Sequence, residues 1–113
     1  MSEEPWLPGV RVELESFRDL KPNWDSYGAK APNPQAIDQA TKLAEFLSQN
    51  GVSRPHVAPC NDGTIAFEWT GSPELEVEIH FDGTFAYLLG NSNEGVAVDW
   101  QAILDMLLKG KRE

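Results

Sequence analysis

One cysteine, Cys60, and two histidines, His56 and His80, are all the thiol and imidazole that this 113-residue chain holds. A single thiol excludes an intramolecular disulfide and leaves a structural zinc site, which draws on four Cys or His ligands, short of thiolates. Cations are scarce as well: nine Lys and Arg face 18 Asp and Glu, for a net charge of −9 at pH 7. That balance repels phosphate backbones, so nucleic acid is not expected as a direct ligand, whereas basic protein surfaces are. Solubility is the plainer reading of the same surplus. No apolar run reaches the roughly 18 residues of a membrane-spanning helix. The start, Met1-Ser2-Glu3-Glu4-Pro5, has neither the basic nor the apolar region of a signal peptide. A cytoplasmic protein without a membrane partner is therefore expected. Glycine loops that cradle phosphate are missing, and Ser16, Ser26, Ser48, Ser53, Ser72 and Ser92 stand in no nucleophile-elbow context.

What is present is periodicity of two kinds. Val10, Leu14, Phe17 and Leu20 recur at helical spacing, with Val12 off the stripe, and the spacing predicts a helix over 9–21 that Lys21-Pro22 ends. Asn33-Pro34 predicts a second start, since Asn caps free amides and proline is pre-set for the first turn. Ile37, Ala40, Leu43, Ala44 and Leu47 form its apolar stripe, widened by Phe46, and Asn50-Gly51 supplies a left-handed stop. From Pro55 the period falls to two. Ile65, Phe67 and Trp69 alternate with Thr64, Ala66 and Glu68; Leu75, Val77, Ile79 and Phe81 alternate with Glu74, Glu76, Glu78 and His80. Asp62-Gly63 and Asp82-Gly83 predict hairpin turns, with Gly71-Ser72-Pro73 as a looser turn between them. Strands are expected at 84–89 and 96–98, joined by the polar connection Gly90-Asn91-Ser92-Asn93-Glu94-Gly95. Asp99 can cap a last helix carrying Trp100, Ile103, Leu104, Leu107 and Leu108, which Gly110 ends. Two helices, an antiparallel meander of four or five strands and a closing helix make one α+β domain, 1–113, with the helices on one face of the sheet.

Between the first two helices lies Asn23-Trp24-Asp25-Ser26-Tyr27-Gly28-Ala29, which spends two large aromatics where neither helix nor strand fits. Pro22 before it and Pro32 and Pro34 after it mark an ordered connection. The stretch resembles the Trp-Asp-x-Tyr-Gly-Ala signature of a family of short bacterial and phage proteins. In that family a helix follows, and then a segment like Pro55-His56-Val57-Ala58-Pro59 and Gly63-Thr64-Ile65-Ala66-Phe67-Glu68-Trp69. Ser26 stands where Gly is commoner. The resemblance spans roughly 14–87 and implies a common fold and a prokaryotic or viral setting, with no catalytic residue to carry over.

The second sheet face is the first candidate site. A symmetric hairpin sets Phe67 opposite Val77, Ile65 opposite Ile79 and Glu68 opposite Glu76, with Glu74 and Glu78 on the same side. Like charges facing one another in a sheet destabilise it by about 0.2–1 kcal/mol, which a partner surface would explain and a solvated face would merely tolerate. A two-residue turn at Asp82-Gly83 sends Phe85, Tyr87 and Leu89 to that face and Ala86 and Leu88 to the core; a three-residue loop reverses the parity. Trp24 and Tyr27 either plug one end of the core, with Asp25 satisfying loop amides, or form an aromatic anchor for a partner. His56, Cys60 and Asp62 are the one group that could weakly bind a metal, but three ligands around a turn is a common coincidence. No catalytic residue, metal or cofactor is assigned.

The function expected is a non-enzymatic inhibitor of antitoxin, anti-defence or anti-CRISPR type. It would present Glu68, Glu74, Glu76 and Glu78, with Trp24 and Tyr27, to a protein with a basic surface, which itself could be nucleic-acid-binding. The alternatives are a small hydrolase or metal-dependent enzyme with a site near His56, and a structural subunit that dimerises through its sheet.

Overall fold

Pro8 and Pro22 frame the first helix. In the computed structural model, which describes residues 5–69, 74–80, 82, 84–89, 93–97 and 100–111, helix α1 spans Leu7–Ser16 and tightens into a 3-10 turn at Phe17–Asp19. It begins two residues before the expected start because proline in the first turn loses no helical hydrogen bond. It stops short of 21 because a helix carried through Pro22 would drive the ring into an earlier carbonyl. Leu20 is already extended, at φ −74° and ψ 132°. Val10 and Leu14 are buried and Val12 is exposed, as the spacing requires.

Helix α2, Pro34–Gln49, has both ends written in its sequence. Asn33 Oδ1 accepts from the amides of Gln35 and Ala36 at 2.8 and 3.3 Å. At the other end Gly51 takes a φ of 78°. The Val52 amide then reaches the Leu47 carbonyl and the Gly51 amide that of Ser48, the paired bonds of a Schellman stop with a buried apolar residue just beyond it.

The five strands β1 (His56–Pro59), β2 (Ile65–Trp69), β3 (Leu75–Ile79), β4 (Phe85–Leu89) and β5 (Asn93–Ala97) pair antiparallel in chain order. The β2–β3 register is the expected one: Ile65 opposite Ile79, Phe67 opposite Val77, Glu68 opposite Glu76. The parity at the next hairpin is settled by loop length. His80 N–H donates to the Thr84 carbonyl and Ile79 pairs with Phe85, so three residues, not two, separate the paired ends. Phe85 is buried, Tyr87 packs half-buried against the core, and Ala86 and Leu88 lie on the outer face opposite Glu78 and Glu76. The β1–β2 hairpin has the same build. Cys60 N–H reaches the Thr64 carbonyl, and Gly63 sits at φ 92°. In each loop an aspartate, Asp62 or Asp82, accepts from the amide and hydroxyl of the threonine two residues on, at 3.1 and 2.7 Å.

Two expectations are corrected here. Asn93, Glu94 and Gly95 belong to β5 rather than to a connection, because pairing with β4 overrides their weak strand propensity. Helix α3 runs Trp100–Lys111, past Gly110, since a glycine weakens a helix without being able to end it unaided. Strand β1 starts just after Pro55, where the period changes, and pairs with β2 through Pro59. The turn at Gly71-Ser72-Pro73, Phe81, Gly83, the residues 90–92 and 98, and the Asp99 cap lie outside the described residues.

The helices cover one face of the sheet. Phe67, Trp69, Val77 and Ile79 are buried together with Ile37, Leu43 and Leu47 of α2 and Ile103, Leu104 and Leu107 of α3. Two indoles pin the segment that follows α2: Trp6 Nε1 donates to the Val52 carbonyl and Trp69 Nε1 to that of Ser53. Among the described residues, no helix is long and apolar enough to cross a membrane.

Candidate functional site

The face of the sheet turned away from the helices is built as two rows. Register places His56, Glu68, Glu76 and Leu88 side by side across β1 to β4, and Ala58, Ala66, Glu78, Ala86 and Val96 across β1 to β5. Glu68, Glu76 and Glu78 are half-buried, while Glu74, just before β3, is exposed. Glu68 stands directly opposite Glu76. Side chains so paired have Cβ atoms about 4.5–5.5 Å apart, close enough for like charges to repel. The four described ion pairs join Arg11, Arg18 and Arg54 to carboxylates of α1 and α2, and none engages the glutamates of the sheet. None could come from within the sheet either, since no Lys or Arg occurs between Pro55 and Leu108.

Apolar surface borders these carboxylates. Leu88 is 37% exposed and Val96 68%. A cavity of about 290 Å³ opens on this face, lined by Glu76, Glu78, Ala86, Tyr87 and Leu88. Tyr87 lies over Gly95, where an added Cβ would come within 2.9 Å of its hydroxyl and 3.1 Å of the ring. The alternation in β2 and β3 marked the glutamates. It also set Ala66 on their side but did not reach Ala58 or Val96, and the side that Ala86 and Leu88 take rests on the loop length of the hairpin before them.

The Trp24–Tyr27 segment divides between its two readings. Asp25 Oδ1 accepts from the amides of Tyr27 and Ala29 at 2.8 and 3.1 Å, and Asn23 Oδ1 accepts from Gly28 at 2.7 Å. Asn23 and Ser26 hold positive φ angles of 68° and 66°, a conformation that Asn adopts more readily than most residues and that Ser adopts only rarely. So far this is the structural reading. The core plug is corrected, however: Trp24 is half-buried and outside the core cluster, donating Nε1 to the Lys30 carbonyl, and Tyr27 is 91% exposed. The loop uses its polar groups on itself, and the Tyr27 ring is left in solvent. The segment that follows is tied to the β1–β2 loop through Lys30 N–H to the Asn61 carbonyl and Asn33 N–H to that of Gly63.

His56, Cys60 and Asp62 do not assemble. His56 opens β1 and Cys60 follows its last residue, some 13 Å away at about 3.3 Å per residue, and Asp62 is occupied by Thr64. Burial raises the Cys60 thiol above its ordinary range, the Thr64 contact opposing it. The Thr64 hydroxyl holds Asp62 below the usual carboxylate range, and Thr84 does the same for Asp82. Among the described residues, no group of three or more His, Cys, Asp or Glu side chains could hold a metal ion. No family model, no curated protein and no solved structure matches the chain.

Proposed function

We propose that this protein is a non-enzymatic interaction module that binds, and thereby neutralises, a protein partner with a basic surface. The partner is of the kind that grips nucleic acid, so occupation by the acidic face competes with that ligand. The observation that carries the reading is the apposition of Glu68 and Glu76, joined by Glu78, on a sheet that contributes no cation of its own. Such a face bears a repulsion that a cationic partner would relieve. Leu88 and Val96 supply apolar area to be desolvated beside the charges, and Tyr27 a second, separate aromatic contact. A second copy of the chain is the poorer fit, because it would bring two nets of −9 together. The likeness of Trp24-Asp25-Ser26-Tyr27-Gly28-Ala29 to short bacterial and phage proteins adds the setting: a cytoplasmic inhibitor of antitoxin or anti-defence type.

The test is co-purification from the native host with wild type and with Glu76→Lys/Glu78→Lys as parallel baits. A nucleic-acid-binding protein retained by the wild type, lost with the double variant and eluted by salt is the expected result. Equal retention of every captured protein by both baits would remove the face from the mechanism.

A further inference from the structure

The cavity on the outer face has walls of two chemical kinds. Glu76 and Glu78 project from alternate positions of β3, about 7 Å apart along the strand, and neither is engaged by a described cation. Ala86, directly opposite Glu78, keeps the floor low, and Leu88, directly opposite Glu76, gives an apolar side. At about 290 Å³ the space lies at the small end of ligand pockets, which run from roughly 300 to 1,000 Å³, and suits one side chain rather than a cofactor.

We infer that this cavity receives the side chain of an arginine presented by the protein partner, the guanidinium bridging Glu76 and Glu78 while its stem lies along Leu88. This deepens the reading above and rests on it. Arginine fits better than lysine for two reasons. Its planar fork carries five donors and reaches two carboxylates at once, whereas an ammonium is a compact point charge. It is also more weakly hydrated, so it enters a half-buried, partly apolar site with less loss. A cavity walled by two carboxylates and one aliphatic side chain selects for these properties together.

Titration of the full chain with N-acetyl-arginine amide, followed by backbone amide shifts at low salt, tests this directly. Saturable shifts confined to Glu76, Glu78 and the residues 86–88 are expected. The neutral citrulline amide should bind at least about tenfold more weakly, since only the charged donor makes charge-assisted bonds. Glu76→Gln/Glu78→Gln keeps the shape and removes the charge; Ala86→Leu keeps the charge and fills the space. Each should weaken arginine binding by about tenfold or more. Equal binding of N-acetyl-lysine amide, undiminished binding by Ala86→Leu, or shifts scattered over the acidic surface would each overturn the inference. The face-level proposal is read separately, from the lysine double variant and the captured partner: it stands if that variant still loses the partner, and both fall if neither the arginine probe nor the partner responds to residues 76 and 78.

Discussion

Two aspartates show how single side chains do local work here. Asp62 and Asp82 each bind the amide and hydroxyl of the threonine that re-enters the sheet, and both are held below the ordinary carboxylate range chiefly by that hydroxyl. A carboxyl whose native pKa lies below its unfolded value, about 3.9 for Asp, stabilises the fold above that value, and the contribution is lost as pH falls through the native pKa. Denaturant midpoints measured across acid pH should therefore fall for the wild type and fall less steeply for Asp62→Asn/Asp82→Asn; identical slopes would mean the threonine bonds carry no linkage. Tyr27 makes the opposite case, a large ring with almost no burial. Tyr27→Ala should leave stability within about 0.5 kcal/mol, as surface changes do, and weaken partner binding. Asp25→Ala strips the acceptor from two loop amides and should destabilise by about 0.5–1.5 kcal/mol, the net worth of intramolecular hydrogen bonds at a largely solvated site. Thermal unfolding of the pair separates anchor from scaffold.

At the scale of elements, helix and strand depend on each other. The apolar stripe of α2 packs on the inner face of β2 and β3, with α1 and α3 beside it, and these strands present Phe67, Val77 and Ile79 to it, each fully buried. Ile79→Ala should cost about 2–5 kcal/mol, the range for emptying a packed site, read as a lower denaturant midpoint. The β4–β5 pair offers a different test. Gly95→Ala needs the Tyr87 ring to move, because its added methyl would meet three ring and hydroxyl atoms between 2.9 and 3.2 Å. Overpacking of that kind typically destabilises by about 1–3 kcal/mol. Tyr87→Ala in the same chain should remove most of the penalty, and an additive double variant would show that the ring is not the obstacle.

For the molecule as a whole, charge is partitioned as well as unbalanced. The described ion pairs sit on and between α1, α2 and the segment before β1, while the sheet holds carboxylates without cations. Glu76→Lys/Glu78→Lys relieves a repulsion instead of breaking a bond, so its unfolding midpoint should equal or exceed that of the wild type. Association with the partner should weaken, and what remains should depend less on ionic strength, because screening acts most on exposed charges. A variant that unfolds at lower denaturant would mean that these glutamates support the fold.

The α+β class, the caps of α2 and the β2–β3 register were legible in the sequence because each depends on neighbours a few residues away: Asn33 before Pro34, Gly51 after the last turn, alternation on either side of one hairpin. The acidic face followed from the same alternation. Tertiary structure alone decided the rest. Asn93 to Gly95 carry little strand preference and become a strand because β4 offers an edge to pair with. Phe85 goes inside and Leu88 outside because one residue of loop length sets which side of the sheet each meets. Tyr27 stands in solvent because Asp25 and Asn23 close the loop on itself, and nothing in an aromatic's identity says whether the space beside it has already been filled. The cavity, likewise, exists only where Ala86 of one strand falls opposite Glu78 of another, a juxtaposition that belongs to the sheet and to neither strand.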